Sequence, residues 1–259
     1  MNILCIGDVI GLPGCEFVRR VLPALKRLKG IDLCIANGEN SEFGRAKGIS
    51  RASAEHLFDS GVDVITTGNH VFSQSACYDY LEDCEFIARP ANLAYEGAPG
   101  RGAVIVDMGR VRVAVANLSG AVYMDCVTSP FEAVEALLPQ ISDCKVKLLD
   151  FHAEATSEKR AMGFYLDGRF SAVFGTHTHI QTADEQVLPG GTGYITDLGM
   201  TGPIDSILGV EKEIILQKFR TNMPVRFKTA EGVCALCGCL FTVDENSGLC
   251  THAERIQIQ

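Results

Sequence analysis

Tryptophan is absent from the 259 residues, and aromatic residues make up only 7% of them. No cluster of aromatics interrupts a basic stretch, so a stacking platform of the kind that grips bases is not evident. Positive charge is also in short supply: 23 Lys and Arg stand against 32 Asp and Glu, a formal net charge of −9. That balance argues against a general nucleic-acid binder, which neutralises phosphates with a basic face. A phosphate-bearing substrate would therefore need a local cation, and bound metal ions are often the largest local charges in a site. Neither G-x-G-x-x-G after a strand nor G-x-x-x-x-G-K-[ST] occurs, so neither a dinucleotide fold nor a P-loop is supported.

Long apolar runs are missing as well. The first one, residues 2–6, has no basic leader and is interrupted by Asp8, which reads as neither signal peptide nor membrane span. The eleven cysteines are scattered and odd in number, and Cys5 and Cys34 lie inside strand-like runs where Cys acts as a small hydrophobe. The expectation is a soluble, cytoplasmic protein with reduced thiols. Cys234-x-x-Cys237-x-Cys239 invites a zinc reading, but structural sites need four ligands at paired spacings, and Cys250 and His252 lie across a turn. Packing is the better account of these cysteines. With 47% hydrophobic residues, no low-complexity linker and no shift of composition, the chain reads as one α/β domain, 1–259.

What is present is a set of polar groups at strand ends. The apolar run 170–174 leads into Gly175-Thr176-His177-Thr178-His179, a His-x-His pair that can turn two nitrogens towards one place. Residues 2–6 end in Gly7-Asp8, and 32–36 end in Asn37-Gly38-Glu39-Asn40. Residues 62–66 end in Gly68-Asn69-His70, and 146–151 in Asp150-Phe151-His152-Ala153-Glu154. Alone, Glu39-Asn40 would read as a surface Asx turn. Repetition changes that reading, because ligand sites in open α/β sheets gather at the carboxyl ends of strands. His56 lies away from the cluster within a helix and is given no chemistry. Arg45 and Lys47, in the 44–48 loop, could meet an anion.

Between these strands the pattern predicts helices over 17–28, with Pro23 as a kink or break, over 50–60 capped by Ser50, and around 75–81, 130–138, 157–164 and 211–219. It predicts a hairpin from 103–107 and 111–117, and tail strands over 225–229, 233–243 and 249–258.

Asp8, Glu39, Asn40, Asn69, His70, His152, His177 and His179 exceed the need of one tetrahedral ion. They suit two ions about 3.5 to 4 Å apart sharing a carboxylate, the arrangement that serves phosphate-ester hydrolysis. In order and type these motifs resemble those of the calcineurin-like metallophosphoesterases. Two departures stand out: Ile10 where the first histidine would be, and Glu39, with Asn40 beside it, in place of the usual bridging aspartate. Together with Arg89-Pro90-Ala91-Asn92, the 151–159 stretch and Ile195-Thr196-Asp197-Leu198-Gly199-Met200-Thr201-Gly202-Pro203, they resemble one bacterial branch, the YmdB-type phosphodiesterases, over about residues 1 to 258.

The resemblance implies two packed mixed β-sheets flanked by helices, a four-layer sandwich. It implies one metal on Asp8, Glu39, Asn40 and His179, a second on Glu39, Asn69, His152 and His177, and His70 as proton donor. It also implies iron or manganese as the metals and 2′,3′-cyclic nucleotides as substrates. The oxygen-rich first site, with one nitrogen and no sulfur, agrees with Mn or Fe over Zn. The expected reaction is in-line attack by a bridging hydroxide while His70 protonates the departing ribose oxygen. Two other readings stand beside it: a phosphomonoesterase or 5′-nucleotidase, and a regulatory metal-binding protein acting through partner contacts. A small-molecule phosphodiester is the expected partner, without stable nucleic-acid or membrane binding. The sequence leaves open whether the chain forms a homo-oligomer.

Overall fold

Successive residues of the first strand face opposite ways, and both sets are apolar. In β1 (Asn2–Ile6) Leu4 and Ile6 join one buried cluster while Ile3 and Cys5 join another. A strand buried on both faces belongs in the interior of a layered fold. The computed structural model describes residues 1–44, 46–93 and 97–259.

After β1 come β2 (Asp8–Val9), α1 (Gly11–Lys29), β3 (Leu33–Asn37), α2 (Arg51–Asp59), β4 (Val64–Thr66), α3 (Tyr78–Asp83) and β5 (Ile87–Ala88). A second run holds β6 (Ala103–Asp107), β7 (Arg112–Ser119), α4 (Pro130–Leu137), β8 (Val146–His152), α5 (Thr156–Tyr165), β9 (Ala172–Thr176), β10 (Gln186–Val187) and β11 (Gly193–Ile195). The chain returns through β12 (Met200–Pro203), α6 (Lys212–Thr221) and the hairpin β13 (Cys234–Val243) and β14 (Cys250–Ile258).

One mixed sheet has the order β2-β12-β13-β1-β3-β4-β5 with β14 added on β13; the other has the order β10-β11-β9-β8-β7-β6. Between them Ile3, Leu33 and Ile35 pack against Val113, Val115 and Leu148, and the rings of Phe174 and Phe241 stack at 6.4 Å. Outside the first sheet Val18 and Leu22 of α1 and Leu57 of α2 fill a second core. Outside the other sheet Val134 and Leu137 of α4 and Met162 of α5 fill a third. The layers therefore run helix, sheet, sheet, helix.

This order positions the site. β1, β3 and β4 are parallel neighbours in one sheet, and β7, β8 and β9 are parallel neighbours in the other. Parallel strands deliver their carboxyl ends to one edge, and the loops leaving both sheets meet there.

Three local expectations need correction. The first helix begins at Gly11, not at residue 17, and continues through Pro23. Gly14 lies so close to Thr201 that a Cβ would strike the Thr201 carbonyl, so the first turn of the helix, Gly11-Leu12-Pro13-Gly14, is tightly packed. Pro23 is exposed, as is Arg19, whose carbonyl loses its helical donor to the proline ring. The helix around 75–81 opens as a 3-10 turn, Ser75–Cys77, with another, Val71–Ser73, before it, and becomes α-helical only in α3. Residues 225–229 are not a strand: neither face is buried, and Thr229 makes only an isolated bridge to Val210.

Candidate metal centre

His152, at the end of β8, is wholly buried. Its Nε2 has three neighbours at 3.0 Å each: Glu39 Oε1, Asn69 Oδ1 and His177 Nδ1. One ring nitrogen carries at most one proton and can satisfy at most one of them. The other contacts bring electron-rich atoms together with no second proton from this nitrogen to share. About 3.0 Å is also the separation of adjacent donors around an octahedral ion bonded at about 2.1 Å. Among the described residues, Glu39, His152 and His177 are the one group of three or more His, Cys, Asp or Glu whose ligand atoms lie within 4.8 Å of one another. Gly68 makes the approach feasible, because a Cβ there would collide with Glu39 Oε2 and His152 Nε2.

A second group adjoins the first through Glu39. Asp8 Oδ2 accepts the His177 N–H at 3.1 Å, while Asp8 Oδ1 is buried with no hydrogen-bond partner. His179 Nε2 stands 3.7 Å from that orphan oxygen and 3.2 Å from Asn40 Nδ2, which lies 3.3 Å from Glu39 Oε1. Turning the Asn40 amide over would present Oδ1 to the same place. An orphaned buried carboxylate oxygen costs free energy unless a cation compensates it. The donor set, oxygen and imidazole nitrogen without sulfur, fits a pair of hard or borderline cations.

Other side chains fix how the donors point. His152 Nδ1 lies 2.8 Å from Thr176 Oγ1, whose hydroxyl donates to Asp150 Oδ1 at 2.7 Å. Asp150 is fully buried and also accepts from Asn37 Nδ2 at 2.9 Å and from the Thr66 hydroxyl. This relay keeps the proton of neutral His152 on Nδ1 and aims the Nε2 lone pair into the site. His177 Nε2 is 3.2 Å from Glu154, and His179 Nδ1 is 3.2 Å from the Leu208 carbonyl, so each ring has its other nitrogen free to face the cluster.

His177 and His179 both sit at positive φ, 98° and 64°. Such backbone is unfavourable for these residues and persists only where its surroundings hold it. A buried ion pair does so. Lys159 Nζ donates to the Thr176 carbonyl at 2.8 Å and to Asp197 Oδ2 at 2.6 Å, and that oxygen accepts the Thr178 N–H at 3.2 Å.

Burial raises the Asp8 carboxyl to about 6. Burial would raise Glu39 too, but the imidazoles of His152 and His70 hold it down at about 2. Burial would lower His152, yet Glu39, Asp8 and Asp150 together raise it to about 9. His177 falls to about 4, through burial and then through the neighbouring charge on His152.

All eight residues singled out from the sequence lie in or beside this cluster. His70 is half-buried; its backbone N–H donates to Glu39 Oε2 at 3.1 Å, and its Nδ1 is 3.5 Å from Asn69 Nδ2. Lys47 is exposed nearby, and Arg45 lies outside the described residues. His56 packs edge-on against Phe43 at 5.8 Å, away from the centre. Cys234 faces one core and Cys239 another, so these cysteines do not converge. Ile10 is buried in the space left by Gly202 and Gly209. Sequence reasoning assigned no role to Asp150, Thr176, Lys159, Asp197 or Glu154. Asp150 alone carries a signal, a carboxylate between the apolar Leu148-Leu149 and Phe151 of a strand, which must find partners when buried.

The family model described as YmdB-like protein matches residues 4–256. A Bacillus subtilis (strain 168) protein named 2′,3′-cyclic-nucleotide 2′-phosphodiesterase is 44% identical over 259 residues, covering 100% of this chain and 97% of its own. A crystal structure of a hypothetical protein from Thermus thermophilus superposes with a TM-score of 0.93 at 39% identity, covering 100% of this chain and 99% of that one. A Mycoplasma pneumoniae structure described as a novel phosphatase gives a TM-score of 0.93 at 33% identity, covering 100% and 93%. With a family model matched across nearly the whole chain and relatives similar over their full length, this chain belongs to the YmdB-like protein family.

Proposed function

We propose that the chain is a dimetal phosphodiesterase that hydrolyses 2′,3′-cyclic nucleotides. The observation that carries it is His152 Nε2 with three electron-rich atoms at 3.0 Å, an arrangement that calls for a cation. The substrate class follows from the name of the Bacillus subtilis relative. Asp8, Glu39, Asn40 and His179 would hold one ion, and Glu39, Asn69, His152 and His177 the other, with Mn or Fe favoured by the oxygen-rich first set. When bound, two cations supply positive charge to the phosphate oxygens and make water acidic enough to act as a nucleophile near neutral pH.

The chain's own residues do the positioning. Asp150 and Thr176 orient His152, Glu154 orients His177, and the Lys159–Asp197 pair holds the loop that carries both His177 and His179. His70 is the proton donor to the departing ribose oxygen. Its pKa is lowered, first by burial, which makes the imidazolium a stronger acid but lessens the fraction that carries the proton. Eleven free cysteines fit a reducing compartment, and we assign the protein to the cytoplasm as a single domain.

The substrate assignment is tested by kcat/KM under one metal condition for the four 2′,3′-cyclic nucleotides, a 3′,5′-cyclic nucleotide and a nucleoside monophosphate. The 2′,3′-cyclic diesters should lead, with a spread among bases below about 100-fold; a monophosphate in first place rejects the assignment. Glu39→Ala should lose both ions by elemental analysis, because it is the shared ligand, and one ion retained at wild-type affinity excludes sharing. His70→Ala should keep its metal and slow turnover by ~10²–10⁴, less for a nitrophenyl ester whose leaving group needs little protonation. Loss of metal in that variant would make His70 a ligand instead.

Metal binding should also release protons. Ligation needs neutral His152, which in the metal-free chain stays protonated up to about 9, so affinity should rise with pH until that value. Calorimetry in buffers of different ionisation enthalpy should find about one proton released per chain near neutrality from this group, and more below about 6, where Asp8 adds its own. Affinity that is flat between about pH 6 and pH 9 would contradict the ligand role of His152.

A further inference from the structure

Ser119, the last residue of β7, is paired in register with His152, and the next N–H, of Gly120, donates to the His152 carbonyl at 2.9 Å. The turn that follows is tied down at its root. Buried Glu158 of α5 accepts the N–H groups of Ala121 at 2.9 Å and Val122 at 3.2 Å. A Cβ on Gly120 would strike Ala153 and the Glu158 carboxylate, so the root is packed as well as bonded. At the tip of this anchored turn stands Tyr123, 90% exposed and at φ 62°.

A bulky residue in left-handed backbone is uncommon and unfavourable, and a ring in water gives up its burial. Tyr123 belongs to none of the three cores, so packing does not account for it. It does line a cavity of about 470 Å³ together with Leu93, Met124, Asp125 and two residues of the metal centre, Asn69 and His177. That volume is in the range of small-molecule sites. The charge pattern orients an occupant: Asp125 repels an anion from the side of the turn, so a phosphate belongs at the Asn69 and His177 end and the organic part of the ligand extends towards the ring.

Resting on the phosphodiesterase reading of this site, we propose that Tyr123 is the platform on which the base of the nucleotide stacks. Every base has a π-face, so a single ring contributes affinity with little discrimination, purines gaining somewhat more because of their area. The shortage of aromatics in the composition thus does not exclude stacking, because one positioned ring suffices. The contact lies remote from phosphorus and acts on substrate binding rather than on the chemical step.

The test compares metal-loaded wild type, Tyr123→Ala and Tyr123→Trp on 2′,3′-cyclic AMP, 2′,3′-cyclic CMP and the base-free 1-O-methylribose 2′,3′-cyclic phosphate. A second arm measures binding of 3′-AMP and ribose 3-phosphate by calorimetry. Tyr123→Ala should raise KM for both nucleotides about 10- to 100-fold, the adenine compound more, with kcat within about 3-fold. It should leave the base-free diester and ribose 3-phosphate unchanged, and Tyr123→Trp should retain wild-type KM. Equal shifts for base-free and base-containing ligands, or no shift at all, overturn the platform. If wild type turns over none of the cyclic diesters, the phosphodiesterase reading fails on its own. The binding arm then still decides: weaker 3′-AMP binding in Tyr123→Ala with unchanged ribose 3-phosphate binding upholds the platform, and unchanged 3′-AMP binding ends it.

Discussion

The structure depends on keeping electron-rich atoms close together and out of water. Glu39 and His152 are both essentially inaccessible, and Asp8 beside them leaves one carboxylate oxygen without any donor. Isolated, each such group would cost several kcal/mol to bury. A layered α/β fold makes the arrangement possible in geometric terms, because strand ends are fixed by ladders on both sides and cannot relax apart. Gly7 and Gly68 let neighbouring backbone approach where any side chain would collide with the Gly199 carbonyl or with the Glu39 and His152 side chains. Strain at His177 and His179 belongs to the same constraint, since left-handed backbone at alternate positions turns both rings inward.

Around that centre, charge is balanced in two shells of different kind. Asp150 is surrounded by neutral donors, two threonine hydroxyls and an asparagine amide, which hold its buried carboxylate while its charge acts on His152. Lys159 is a full charge, but it is neutralised at 2.6 Å by Asp197 and gives its remaining contact to a backbone carbonyl. Removing one member of such a buried pair typically costs about 3–5 kcal/mol, because the other is left uncompensated. The pair therefore holds the His-Thr-His loop through bonds to the Thr176 carbonyl and the Thr178 N–H.

The centre was legible in the sequence because each of its parts carries a local signature. An apolar run that ends in Gly-Asp, Gly-Glu-Asn, Gly-Asn-His or His-Thr-His states both where the strand stops and which donors leave it, and parallel strands do the assembling. The supporting residues lack that property. Nothing near Lys159 in sequence says that it meets Asp197, 38 positions away, and Glu158 looks like any acidic residue in the first turn of a helix until it is seen bonding the 121–122 backbone. Boundaries failed for the same reason: the Gly11-Leu12-Pro13-Gly14 segment is helical with Thr201 packed on Gly14, and residues 225–229 stay exposed and pair with the rest only through the bridge of Thr229 to Val210.

Tyr123 shows the limit of composition as evidence. A low aromatic content excludes a surface that reads many bases in succession, since that requires several rings in register. It says nothing about a ligand with one base, for which position matters and number does not. Position here is set by a buried carboxylate at the root of the turn and by β7, which pairs in register with the strand that bears His152. A loop held this way can contribute binding without first losing the entropy of becoming ordered, which is the condition under which one exposed ring yields measurable affinity.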